Sequence, residues 1–259
     1  MKVLLVGESW TVHETHMKGF DVFNVCRHEE QCGTMLVDVL KKEGIETDFM
    51  PSHAAQESFP DTMEKLNVYD AVILSDIGSN TLLLASDTFY RGERKPNKLQ
   101  LLVDYVEQGG GLAMIGGYLS FAGIDNKARY AMTPLAKVLP VNMLNYDDRV
   151  ECPEGIVPQT VKPSHPIFAG IETEWPFFLG YNKVMVKPQA EELAKIGDDT
   201  FIAVMEHGRG RSLAFASDCA PHWGPKEFMQ WSSYSTLFGN MVRWLGKKTK
   251  SRDERFKAV

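Results

Sequence analysis

Gly109-Gly110-Gly111-Leu112-Ala113-Met114-Ile115-Gly116-Gly117-Tyr118-Leu119-Ser120 decides the fold. Three glycines halt the helical spacing of Leu99, Leu102, Val103 and Val106; an apolar tetrad follows, and two more glycines end it. The stretch reads as helix stop, buried strand and sharp turn at the strand's carboxyl end. In open α/β sheets that end faces the ligand crevice, so the turn at Gly116 and Gly117 marks a candidate site.

Working outward, the pattern recurs. Val3–Val6 is an apolar run ending at Gly7, Ile45–Met50 is closed by Pro51, and Ala71–Leu74 runs out into Ser75-Asp76-Ile77-Gly78-Ser79-Asn80-Thr81. Met35, Leu36, Val39 and Leu40 keep helical spacing until Gly44, and Met63 and Leu66 mark a short helix. This alternation predicts an α/β fold with a doubly wound, mostly parallel sheet. The polar and aromatic segment Glu8–Gly19 reads as a loop leaving the first strand. From Pro134 prolines crowd the chain and helical spacing weakens, so 134–195 is expected to be an irregular, strand-containing insertion on the same sheet. Thr200–Met205 and Arg211–Ala216, joined through glycines, predict a β-hairpin, and Ser232–Leu245 a final helix. One domain over 1–246 is expected, followed by a basic tail at 247–259.

The 259 residues, 44% hydrophobic, suit one large α/β domain. The net charge of −6, with basic residues clustered only in the tail, argues against a nucleic-acid partner. No apolar run approaches the ~18 residues of a membrane span, so no membrane partner is expected. Four scattered cysteines without a CxxC point to reduced thiols and a cytoplasmic setting. Neither GxGxxG nor GxxxxGK[ST] occurs, so no nucleotide cradle and no cofactor is assigned.

Strand-end segments at 7–19, 75–81, 116–121 and 217–224 converge on one edge of a parallel sheet. They bring Glu8, His13, His16, Asp76, Asn80, Gly116, Gly117, Tyr118 and Ser120 forward as ligand-binding candidates. Cys219, His222 and Asp218 form a candidate catalytic set, in which an imidazole activates the thiol and a carboxylate orients the ring. The competing reading is a half-buried cysteine beside a structural histidine. His13-x-x-His16 with a nearby carboxylate is a metal-ligand spacing, but such pairs also occur without metal, and none is assigned. Amides of Gly116, Gly117 and a helix after them can bind an anion, unless the glycines only permit a sharp turn. Asp147-Asp148-Arg149 reads as a salt-bridge cluster at the rim, and Trp10, Tyr181 and Trp223 as pocket wall or core.

Val3-Leu-Leu-Val-Gly-Glu-Ser-Trp10, Leu74-Ser-Asp-Ile-Gly-Ser-Asn-Thr-Leu-Leu-Leu84, Gly109–Phe121 and Ser217-Asp-Cys-Ala-Pro-His-Trp223 resemble the "putative glutamine amidotransferase" family of the class I glutamine amidotransferase-like superfamily. The hairpin at Gly208-Arg-Gly-Arg211 also resembles the superfamily's trehalose-utilisation branch. The resemblance covers nearly the whole chain and implies a three-layer, flavodoxin-like core. In working amidotransferases it implies a cysteine within Gly-x-Cys-x-Gly, completed by His and Glu. Here the matching turn reads Gly116-Gly117-Tyr118, and Pro221-His222-Trp223 occupies the region of the histidine. Three readings follow. One is a protein without the elbow nucleophile that binds a small polar or carboxylated ligand at the strand ends. Another is a hydrolase or lyase using Cys219 with His222, or a metal at His13 and His16. The third is a non-catalytic partner-binding module. Self-association is carried as an expectation from the frequency of homo-oligomers.

Overall fold

Strands form where apolar residues run uninterrupted, because a strand covered on both faces needs no polar alternation. In the computed structural model, which describes residues 1–172 and 174–246, fourteen strands form: β1 (Lys2–Gly7), β2 (Trp10–Lys18), β3 (Asp21–Glu29), β4 (Glu46–Met50), β5 (Ala71–Ser75), β6 (Gly111–Ile115), β7 (Val141–Met143), β8 (Arg149–Ile156), β9 (Pro158–Thr160), β10 (Phe178–Asn182), β11 (Val184–Val186), β12 (Glu191–Ile196), β13 (Asp199–His207) and β14 (Gly210–Phe215). The tail expected at 247–259 lies outside the described residues.

Eight strands make the central sheet in the order β4-β1-β5-β6-β14-β13-β12-β9. The first five run parallel, and the last three continue antiparallel. Within the parallel part the chain order is 2-1-3-4-5, the flavodoxin-like arrangement, which reverses direction between β1 and β5. Helices Gln31–Lys42 and Tyr234–Leu245 pack together on one face; Ser52–Ser58, Ser79–Leu83 and Lys98–Glu107 pack on the other. The result is three layers with one continuous apolar core through β1, β5, β6 and β14.

The expected hairpin is β13–β14, turned by Gly208-Arg209, and the expected final helix is Tyr234–Leu245. Between 134 and 195, β9 and β12 join the central sheet, while β10 pairs with β8 and β11 with β7.

One expectation is corrected. Glu8–Gly19 is no loop: β2 and β3 form an antiparallel ribbon of nine residues a side, separate from the central sheet. Gly19-Phe20 is its two-residue turn, with Gly19 at φ +65° and Phe20 at negative φ. That is the glycine-first turn whose twist suits a hairpin.

Candidate site at the carboxyl ends of the parallel strands

The parallel strands end abruptly because the residues after them turn where ordinary side chains are strained. Gly7 sits at φ +101°, and a Cβ there would lie 1.9 Å from the Ser75 carbonyl oxygen. Glu8 and Asp76, leaving β1 and β5, hold φ of +45° and +44° without being glycine. Such conformations cost on the order of 1–2 kcal/mol each and persist only where the surroundings impose them. Glu8 N–H donates to Ser75 O at 2.7 Å, and Asp76 N–H to Ser120 Oγ at 3.1 Å.

These turns aim carboxylates into the crevice between β1 and β5. Glu8 is 2% exposed, Asp76 4% and Asp218 3%, and Cys219 is fully buried. Glu8 Oε2 accepts from Ser75 Oγ and, at 3.6 Å, from Cys219 Sγ. One donor atom each from Glu8, Asp218 and Cys219 lies within 4.8 Å of the other two. Among the described residues, no lysine or arginine forms an ion pair with Glu8, Asp76 or Asp218; the one basic side chain paired with them is the His222 imidazole, whose Nδ1 stands 3.7 Å from Asp218 Oδ2.

Burial without counter-charge sets the protonation. Desolvation, reinforced by Asp218 and Asp76, raises the Glu8 carboxyl well above its ordinary range. Desolvation raises Asp76 to about 6, and desolvation with the Asp76 charge raises Asp218. The Cys219 thiol is pushed up by burial and then by Glu8 and Asp218, and the half-buried Cys32 to about 12 for the same kind of reason. His222 is lowered, first by burial.

The expected Cys219–His222 pair is not made. Cys219 Sγ meets Glu8 and Ser75, 3.8 Å away, while His222 turns to Asp218. A thiol among carboxyls stays protonated, which is the opposite of nucleophile activation. His13 and His16 leave the site with the ribbon. His13 meets Cys26 at 3.6 Å, and His16 stacks on Phe23 at 4.7 Å. Three apart on a strand, the two rings point to opposite faces and cannot share an ion. Asn80 sits exposed in the helix Ser79–Leu83, beside a separate cavity with Asp125, Asn126, Lys127 and Arg129. Ser120 is structural, donating to Ile115 O at 2.5 Å while accepting from Asp76.

No α-helix directly follows Gly116 and Gly117, the next helical turn being the short 3-10 segment Ile124–Asn126, and the amides there are taken. Gly116 N–H donates to Phe215 O, Gly117 N–H to Asn182 Oδ1 and Leu119 N–H to Asp76 Oδ1. The anion cradle read from the glycines is therefore closed. Both glycines are sterically required. A Cβ on Gly116 would lie 2.7 Å from Asn182 Oδ1; one on Gly117, at φ +143°, 2.8 Å from Asp76 Oδ1.

Above the carboxylates stands an aromatic layer. Tyr118 meets His222 edge-on at 4.0 Å and Trp223 at 5.6 Å, with Arg149 over its other side at 4.8 Å. Glu151 joins the layer, accepting from Tyr118 OH at 3.1 Å and Trp223 Nε1 at 3.0 Å. The expected rim cluster divides. Asp147 pairs with Arg149 at the surface, while Asp148 turns inward and accepts from Ala122 N, Gly123 N and Asn182 Nδ2. Sequence reasoning missed Asn182, Glu151 and the inward role of Asp148, which come from 145–182 and carry no local motif. Ser75, directly after an apolar run, was legible but unassigned.

A sequence profile described as "putative glutamine amidotransferase" matches residues 2–247. Among solved structures, cytoplasmic protein STM3548 from Salmonella typhimurium is 46% identical over 96% of this chain and all of its own length, with a TM-score of 0.92. Cytoplasmic protein STM1381 from Salmonella typhimurium LT2 is also 46% identical, over 95% of this chain and 100% of its own, with a TM-score of 0.90. A "putative thua-like protein" from Parabacteroides merdae shares the fold at 13% identity, covering 96% of this chain and 93% of its own, with a TM-score of 0.54. No curated protein matches the chain.

Proposed function

Because the chain belongs to the putative glutamine amidotransferase family, we propose that it is a member that does not hydrolyse glutamine and instead binds a small, positively charged polar ligand at its strand ends. The observation that carries the reading is the set Glu8, Asp76 and Asp218, three buried carboxylates at the carboxyl ends of the parallel strands that no lysine or arginine pairs with among the described residues. A buried carboxylate either protonates or acquires a cation. A bound amine or divalent ion bridges Glu8 and Asp218, whose oxygens lie within 4.8 Å of each other, and adds positive charge near Asp76, whereas a carboxylated ligand meets the wrong sign of charge. The absence of a thiol at the turn supports the first half of the proposal. Asp76 and Asn182 occupy the space a side chain on Gly117 or Gly116 needs, so no glutamyl thioester forms there. The cytoplasmic setting in the names of the two Salmonella proteins is extended to this chain as part of the same reading.

Purified protein is expected to release no ammonia from glutamine above a blank. Release that survives Cys219→Ala would overturn the first half. For the second, Mn²⁺, Zn²⁺ and putrescine serve as probes in thermal unfolding. At a hundredfold excess over Kd a bound probe stabilises the fold by about 2.7 kcal/mol. At least one probe is expected to raise the Tm of the wild type and not that of Glu8→Gln. An equal shift in both, or none with any probe, sinks the ligand reading.

A further inference from the structure

Among the described residues, the β2–β3 ribbon is anchored at its base. Ser52 N–H donates to Ser9 Oγ at 2.7 Å, and His28 stacks on His53 at 3.9 Å. Beyond that, every residue of β3 is exposed, and so are all of β2 except Val12 and Glu14. Met17 is 75% exposed, and Val22 and Phe23 55% each. A lone two-stranded ribbon is marginal in water, and an unpaired strand edge is a template for another chain. Three of the usual edge defences are missing from β3. It contains no proline or lysine, and its nine pairings with β2 run without a bulge.

The edge is also self-complementary. Laid antiparallel on a second copy about Asn24, β3 sets Asp21 opposite Arg27, Val22 opposite Cys26 and Phe23 opposite Val25, each twice by symmetry. Shifting the centre to Val25 sets Asp21 against Glu29, and shifting it to Phe23 leaves no charge pair. β2 is a poorer edge, because its centre carries Glu14, which would face its own copy. We propose that β3 pairs antiparallel with β3 of a second copy across a two-fold axis at Asn24, joining two ribbons into a four-stranded sheet. Trp10, Val12, Phe23 and Val25 of both copies then lie on one face of that sheet, among the charged pairs.

The register gives the test. In the full chain carrying Cys26→Ser, Asn24→Cys places two thiols across the axis. Directly opposed residues have Cα atoms about 4.5–5.5 Å apart, within disulfide reach. Mild oxidation is expected to yield a covalent dimer with Asn24→Cys and none with Thr15→Cys on the far strand. Asp21→Arg is expected to raise the dimer Kd about tenfold by opposing like charges twice, and Asp21→Arg with Arg27→Asp to restore it. A wild type that is monomeric by light scattering at high micromolar concentration overturns the proposal. So does a dimer that cross-links through position 15, or one indifferent to Asp21→Arg.

Discussion

Glu8 and Trp10 are two residues apart and stand at opposite faults of the fold. Glu8 lies among buried carboxyls without a lysine or arginine partner; Trp10, 41% exposed, begins a ribbon that shows apolar side chains to water. Charge inside and apolar surface outside each reverse the ordinary partition. The difference lies in shape. The first fault is enclosed by a turn, an aromatic layer and a strand crossover, which suits a small ligand. The second is long, flat and edge-on, which suits another chain. The comparison predicts that the site is rigid and intolerant of change, and that the ribbon is thermodynamically separate from the body.

The largest effect expected is at Gly117. Alanine there meets the Asp76 carboxylate at 2.8 Å and must adopt φ +143°. Left-handed strain plus the steric shift cost about 3 kcal/mol. At ~2–4 °C per kcal/mol for a domain of this size, the Tm should fall by about 10 °C. Gly117→Cys should do the same and gain no glutaminase activity. A stable Gly117→Cys protein that releases ammonia would show that the turn is permissive, and the contrast with the ribbon would fail.

The next effect is in pH. Asp76 titrates at about 6 in the fold against an ordinary value near 4. The native state therefore holds more protons than the unfolded chain between those values, and stability falls as pH rises through them. The contribution is fully present below about pH 4 and lost above about pH 6, worth about 2–3 kcal/mol. Glu8 and Asp218 are raised in the same direction, so they add to the slope. Unfolding in chelated, amine-free buffer should show a Tm lower at pH 8 than at pH 5. Asp76→Asn keeps an acceptor for Leu119 N–H and should flatten part of the difference. A ligand cation should flatten it for the wild type, because it holds the ionised forms. A Tm that rises from pH 5 to pH 8 in its absence would mean the carboxylates are already paired.

The two regions also differed in how far they could be read from sequence. Val3–Val6, Ala71–Leu74 and Leu112–Ile115 are apolar on both faces, a pattern only a covered strand tolerates, so the parallel sheet was legible. The placement of Glu8, Asp76 and Asp218 followed from it, since each stands within three residues of a strand end. Asn182 and Asp148 were not legible. They reach Gly117 across 65 residues of sequence and, through Asn182, 34 more in the other direction, where only tertiary packing sets the contact. The ribbon failed for another reason. Thr11, His13, Thr15 and Asn24 share one face with Met17 and Val22, while Glu14 and Arg27 share the other with Trp10 and Phe23, so neither face alternates cleanly and the segment looks like solvated loop. Its one local signal was Gly19 as the first residue of a two-residue turn.

The smallest effect expected is the sharpest test of separateness. A Cβ on Gly19 meets nothing within 4 Å, so Gly19→Ala suffers only its φ of +65°, about 1 kcal/mol. Because the ribbon's contacts with the body, among the described residues, lie near its base, that cost should appear as local fraying. The global Tm should move by less than about 1 °C. Amide exchange should speed up from Thr15 to Asn24 and stay unchanged in β1, β5 and β6. Phe23→Ser should behave alike in the monomer, since the Phe23 ring is 55% exposed and stacks on His16 of its own ribbon. If either variant lowers the Tm of a dilute, monomeric sample by several degrees, the ribbon is part of the cooperative core, and its exposed apolar side chains stabilise the body rather than waiting for a partner.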